Sequence, residues 1–96
     1  MNKLKWFSGG AERREKAIEI MEELRNEMAQ QPSTKLEMVF NQYLKELKED
    51  GTSTPYILNR FNLTISKVIL ENEIRLSQKQ SEFLKELRTL SYIRII

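Results

Sequence analysis

The sequence of 96 residues contains no cysteine and no histidine. The absence of cysteine excludes disulfides and thiolate metal sites, and the absence of histidine removes the commonest general base of enzymes. Glutamates on the first predicted helix could bind a hard cation, but acidic residues on an exposed helix face are usually just solvated. We therefore predict a protein that is not an enzyme and that uses no cofactor and no metal.

Long apolar runs are absent as well. The runs that exist are far shorter than the ~20 residues that a transmembrane helix needs, and residues 1–10 contain nothing like the apolar stretch of a secretion signal. These absences predict a cytoplasmic protein. Hydrophobic residues make up 40% and charged residues 31% of the chain, which is typical of one folded domain over residues 1–96. Residues 1–10 are expected to form a flexible extension and residues 91–96 a C-terminal tail.

Charge of one sign is scarce, since the formal net charge is only +2. This value is too small to indicate nucleic-acid binding. Residues 1–50 hold nine Lys/Arg and ten Asp/Glu, whereas residues 51–96 hold seven and four. The mild basic excess of the second half is either ordinary solvated surface or part of a surface for a partner.

What the chain does have is apolar residues at helical spacing, in four successive segments. The first predicted helix runs from Ala11 to about Gln30 and ends before Pro32. The second follows Thr34, which fits a capping box with Glu37, and ends where Gly51 supplies a left-handed stop. Their predicted buried seams are Ala17, Met21, Leu24 and Met28 in the first, and Leu36, Val39, Phe40, Tyr43, Leu44 and Leu47 in the second.

The third predicted helix, capped by Thr54 with Pro55 behind it, carries two apolar stripes on opposite sides. One stripe reads as a core seam and contains Ile57, Leu58, Phe61, Ile65 and Val68. The other contains Tyr56, Leu63, Leu70 and Ile74, with Arg60 and Lys67 beside it. The first helix or the C-terminal tail covers this second stripe, or else it faces a partner, which could be a second copy of the chain.

The third helix is expected to continue through Leu76, with the fourth starting at once at Ser77. Ser77 and Gln80 fit a second capping box. The seam of this helix is Phe83, Leu84, Leu87 and Leu90. Four amphipathic helices with short connections predict an all-α fold, an antiparallel four-helix bundle with a single core.

Two motifs in the second half resemble a known family. They are Pro55-x-Ile57-Leu58-Asn59-Arg60-Phe61 and Asn72-x-Ile74-Arg75-Leu76-Ser77-x-x-Gln80-x-x-Phe83-Leu84. Over roughly the last 40 residues the chain is similar to immunity proteins of the pediocin-like (class IIa) bacteriocins, in particular the enterocin A immunity group. The resemblance implies an antiparallel four-helix bundle that protects the producing bacterium from such a peptide. It implies action from the cytosolic side, by binding the mannose phosphotransferase permease that carries the bacteriocin.

The resemblance also implies that specificity lies in the last helix and tail, which here means Arg88, Tyr92, Ile93 and Arg94. Together with the second stripe of the third helix, these residues are the predicted partner-binding set: Tyr56, Arg60, Leu63, Lys67, Leu70, Ile74, Arg88, Tyr92, Ile93 and Arg94. The protein is expected to be a monomer that binds no nucleic acid. Peripheral contact with the inner face of the membrane is a further possibility that the sequence leaves open.

Two alternatives remain open from the sequence. Arg60 and Arg75 are either partner contacts or pair on the surface with Glu71 or Glu73. The competing function is a small helical adaptor or regulator that binds another protein or nucleic acid through the basic second half of the chain.

Overall fold

The computed structural model describes residues 10–30, 34–49 and 51–91. This part of the chain forms four α-helices: α1 (Gly10–Glu27), α2 (Thr34–Glu49), α3 (Thr54–Glu71) and α4 (Gln78–Leu90). A short 3-10 turn, Met28–Gln30, extends α1. Each helix packs against the next in the chain, α4 closes on α1, and α1 also contacts α3 across the bundle. The prediction of an all-α antiparallel four-helix bundle is therefore confirmed.

One hydrophobic core lies between the helices, and the predicted seams form it. In α1, Ile20 joins the predicted buried residues, while in α4 Phe83 is only half-buried. An aromatic cluster links α2 to α3, because the rings of Phe40 and Tyr43 each lie 5.7 Å from the ring of Phe61. Contacts of this kind add to the stabilisation from burial. Of the helices in the described residues, none combines the length and apolarity that a bilayer crossing requires.

The end of α3 differs from the prediction. The helix stops at Glu71, and residues 72–77 form a turn and an extended connection to α4. Glu73 has a φ of 52°, in the left-handed region. Its N–H bonds to the carbonyl of Leu70 at 3.3 Å, and the N–H of Ile74 bonds to the carbonyl of Ile69 at 3.0 Å. This is the hydrogen-bond pattern of a Schellman motif with glutamate at the position that glycine usually occupies.

The Schellman turn changes the environment of Ile74. Instead of extending the outer stripe of α3, Ile74 is half-buried and packs against the core, as do Ile69 and Leu76. A hydrophobic contact between the residues flanking such a turn is a regular feature of the motif. The expectation that Ile74 belongs to an outward surface of α3 was wrong.

Four other helix-end predictions have different outcomes. The capping box of α4 is confirmed, since Ser77 and Gln80 exchange both hydrogen bonds. Ser53, not Thr54, occupies the cap position of α3, and Ser53 makes no side-chain cap bond. Gly51 does not adopt a positive φ, so the left-handed stop expected there was wrong. Because α2 begins at Thr34, its cap position falls at residue 33, outside the described residues, and its capping box stays a prediction.

Candidate partner-binding surface

The second stripe of α3 faces outward. Five residues form a single line along the helix, which we name the outer strip: Tyr56, Arg60, Leu63, Lys67 and Leu70. At 100° per residue their positions fall within an arc of about 80°, and they extend over about 21 Å of the helix axis. Tyr56 is 57%, Leu63 75% and Leu70 80% exposed. Among the described residues these are unusually exposed large apolar side chains.

The buried side of α3 fixes the orientation of the outer strip. Ile57, Leu58 and Phe61 are completely buried, and they point toward the other helices from the opposite side of α3. Since a helix cannot rotate without exposing such a seam, the outer strip has to face away from the core. The alternative that α1 covers the strip is wrong, because Tyr56, Leu63 and Leu70 are exposed. The alternative that the C-terminal tail covers it stays a prediction, since residues 92–96 lie outside the described residues.

Arg60 contacts other side chains of the same protein. Its Nη1 donates a hydrogen bond of 2.7 Å to Oε1 of Glu46, on α2. Its Cζ lies 5.3 Å from the ring centroid of Tyr43 and 5.6 Å from that of Tyr56. The hydrogen bond to Glu46 is the main reason that the pKa of Arg60 is raised above its ordinary value. Pairing of Arg60 with Glu71 or Glu73 was therefore the wrong alternative.

The other predicted partner residues are scattered. Lys67 is exposed within the outer strip, and Arg88 is exposed in the last turn of α4. Arg75 is exposed in the connection between α3 and α4. Tyr92, Ile93 and Arg94 lie outside the described residues. Because α4 runs antiparallel to α3, Arg88 lies toward the Tyr56 end of the outer strip.

Sequence reasoning missed Tyr43 and Glu46 as the residues that hold Arg60. They are three residues apart and so share a face of α2, but nothing in the sequence says which cation faces them. It also missed Met38, which is 64% exposed on α2, away from any apolar strip. No cluster of acidic side chains with the geometry of a metal site is present in the described residues.

Comparison with known proteins adds three findings. Residues 12–92 match the family described as the bacteriocin immunity protein family. A protein of Carnobacterium maltaromaticum, described as an uncharacterized 9.1 kDa protein in the BM1 immunity protein 3′ region, is 42% identical over 59 residues, which is 62% of this chain and 73% of that protein. The NMR solution structure of PisI is similar with a TM-score of 0.76 and 45% identity, over 98% of this chain and 97% of that one.

Proposed function

Because the chain belongs to the bacteriocin immunity protein family, in its enterocin A group, we propose that it protects the cell that makes it against a pediocin-like (class IIa) bacteriocin. It acts in the cytoplasm as a binding protein, without turnover of a substrate. Its partner is the mannose phosphotransferase permease after the peptide has engaged it. Binding at the inner face of the membrane keeps the permease from forming a lethal pore.

The observation that carries this proposal is the exposure of the outer strip. Three exposed apolar side chains in line over about 21 Å of a helix whose other face is buried are typical of a surface that meets another protein. Tyr56, Leu63 and Leu70 are spaced seven residues apart, so one helix of a partner can contact all three when it lies along α3. Helices on the cytosolic side of a permease are partners of this kind.

A binding protein can block a pore only if it distinguishes two states of its partner. A ligand with equal affinity for the free and the bacteriocin-engaged permease would change nothing. We propose that the outer strip supplies most of the affinity and that Arg88, Tyr92, Ile93 and Arg94 supply further contacts. Arg88 lies at the same end of the bundle as Tyr56, because α3 and α4 are antiparallel neighbours.

The first experiment tests protection and the outer strip together. The chain is expressed in a sensitive lactic acid bacterium, and the inhibitory concentrations of a panel of class IIa peptides are measured. We expect the unmodified chain to raise that concentration for at least one peptide. The double variant Leu63→Gln/Leu70→Gln should lose protection while it remains folded, since both side chains are exposed.

The matched control is Met38→Gln, which introduces the same glutamine in place of another exposed apolar side chain, on α2. It should protect as well as the unmodified chain. If the unmodified chain changes tolerance to no peptide of the panel, the proposed function is wrong. If Met38→Gln loses protection as fully as the double variant, the outer strip has no special part in it.

The second experiment tests the partner. The tagged chain is used to capture proteins from detergent-solubilised membranes of sensitive cells, with and without a peptide to which the chain gives protection. We expect the permease to be recovered only when the peptide is present. Recovery that is independent of the peptide, or no recovery in either case, would contradict the proposed mechanism and leave protection itself intact.

A further inference from the structure

We propose that Arg60 is a positioning residue, which holds the exposed ring of Tyr56 in the orientation that the partner meets. It is not a cation that the partner itself binds. The inference rests on the proposed function, because it assigns roles to two residues of the same outer strip. Lys67 is then the cation that the strip presents to a partner.

The first argument is that the charge of Arg60 already has a counterion. Its guanidinium donates to the Glu46 carboxylate at 2.7 Å, and the side chains of the pair are only 37% and 25% exposed. Hydrogen bonds between two ionised groups at this distance are among the strong ones in proteins. A carboxylate on a partner would have to displace Glu46 to reach the same nitrogen. Lys67, seven residues further along the same strip, is exposed.

The second argument is that Arg60 connects a fixed ring to an exposed one. The ring of Tyr43 is buried, lies edge-on to Phe61 at 5.7 Å, and has its hydroxyl 3.1 Å from the hydroxyl of Thr64. The Cζ of Arg60 lies within 6 Å of the centroids of both Tyr43 and Tyr56, at 5.3 and 5.6 Å. A guanidinium at such distances is attracted to both rings. Arg60 thus links the exposed ring of Tyr56 to the buried ring of Tyr43.

This connection matters because Tyr56 is exposed on a helix surface. A tyrosine ring that is already ordered avoids most of the entropy loss that a partner would otherwise impose on it, and ordered aromatic side chains are frequent anchors of interfaces. A lysine at position 60 would keep the positive charge next to Glu46 but would lack the flat guanidinium face. The variant Arg60→Lys therefore separates the charge of Arg60 from its contact with Tyr56.

The test compares the unmodified chain, Arg60→Lys, Tyr56→Ala and the double variant. Binding of each labelled chain is measured on membrane vesicles that contain the mannose permease and have been loaded with a class IIa peptide. NMR of the free protein reports nuclear Overhauser contacts between the Tyr56 ring and the δ protons of Arg60. Circular dichroism confirms that each variant is folded at the assay temperature.

We expect Arg60→Lys to weaken binding about two- to tenfold, the range for a loss of pre-ordering in one side chain. In the Tyr56→Ala background the same change should have no further effect, because the ring that Arg60 holds is gone. The Tyr56 ring should show contacts to Arg60 in the unmodified chain. A role limited to tying α2 to α3 would change thermal stability without this coupling in the binding data.

Three results would overturn the proposal. The first is that Arg60→Lys binds the vesicles as well as the unmodified chain. The second is that the losses of affinity in Arg60→Lys and Tyr56→Ala multiply in the double variant, as for two independent partner contacts. The third is that NMR shows no contact between the Tyr56 ring and Arg60. If the unmodified chain itself does not bind the loaded vesicles, the proposed permease mechanism fails and takes this inference with it, while protection is judged by the growth assay. Binding by the unmodified chain with no change in Arg60→Lys removes the inference about Arg60 alone.

Discussion

Replacement of Gln80 by alanine is expected to destabilise the protein, although Gln80 has no part in the proposed surface. Its side chain is buried and its amide makes two hydrogen bonds. Oε1 accepts from the backbone N–H of Ser77 at 2.9 Å, and Nε2 donates to the backbone carbonyl of Glu27 at 3.1 Å. Glu27 is the last residue of α1, so one amide group joins the end of α1 to the beginning of α4.

The magnitude follows from these two hydrogen bonds. A typical intramolecular hydrogen bond contributes about 0.5–1.5 kcal/mol net, so Gln80→Ala should lower the free energy of unfolding by about 1–3 kcal/mol. The bond from the N–H of Gln80 to Oγ of Ser77, at 3.1 Å, is retained because it uses the backbone of residue 80. For a domain of this size, a loss of about 2 kcal/mol lowers the melting temperature by about 8–16 °C.

The measurement is urea denaturation followed by circular dichroism at the helix band, with thermal melts as a second readout. The matched control is Gln78→Ala, which removes the same side chain from the first turn of the same helix. The Gln78 amide is exposed and lies 3.4 Å from the Glu82 carboxylate, so its loss should change stability by less than about 0.5 kcal/mol. If the two variants are equally stable, the amide of Gln80 does not join α1 to α4 in the way described.

Two further predictions compare like substitutions at different positions. At position 73, where φ is 52°, glycine should make the protein more stable than alanine by about 1 kcal/mol, whereas at Ser66, exposed and well inside α3, glycine should be worse than alanine by about 0.5–1 kcal/mol. If urea denaturation shows the alanine variant at position 73 to be as stable as the glycine variant, the backbone of Glu73 is not strained. Leu58→Ala should lower the free energy of unfolding by about 2–5 kcal/mol and Leu63→Ala by less than about 0.5 kcal/mol, because Leu58 is fully buried and Leu63 is 75% exposed. Equal losses in the same assay would mean that the described rotation of α3 is wrong.

The helices and their buried faces could be predicted from the sequence because a helix repeats its face every 3.6 residues. The two stripes of α3 are separated by this period alone, and the structure buries one and exposes Tyr56, Leu63 and Leu70 of the other. The capping box at Ser77 could also be predicted, since it depends only on two residue types three positions apart. All of these features are local in the chain.

The end of α3 could not be predicted for a physical reason. Glycine is the usual signal for a left-handed helix end, and the chain ends α3 with a glutamate at that position. Gly51, which does carry the signal, does not use a positive φ. Ile74 and Leu76 pack against the core. This tertiary packing overrides the local preference of the chain to continue the helix.

The contacts of Arg60 could not be predicted from the sequence, for a different reason. Spacing rules for charge pairs apply within one helix, whereas Glu46 is fourteen residues away and on α2. Only the packing of α2 against α3 brings the pair together, and that packing is set by Phe40, Tyr43 and Phe61 in the core. The residues of the outer strip could thus be predicted from the sequence, while the contacts of Arg60 with α2 could not.

α3 contributes one side to the core and exposes the other. Its packing depends on the buried seam, and the residues proposed to meet a partner lie on the opposite side, where truncation is expected to cost little stability. Arg60 is the exception, since it contacts α2 and Tyr56 at once. Under the proposed function, changes at Leu63, Lys67 or Leu70 are therefore expected to alter partner recognition without unfolding the bundle, whereas a change at Arg60 is expected to alter the α2–α3 contact and the proposed surface together.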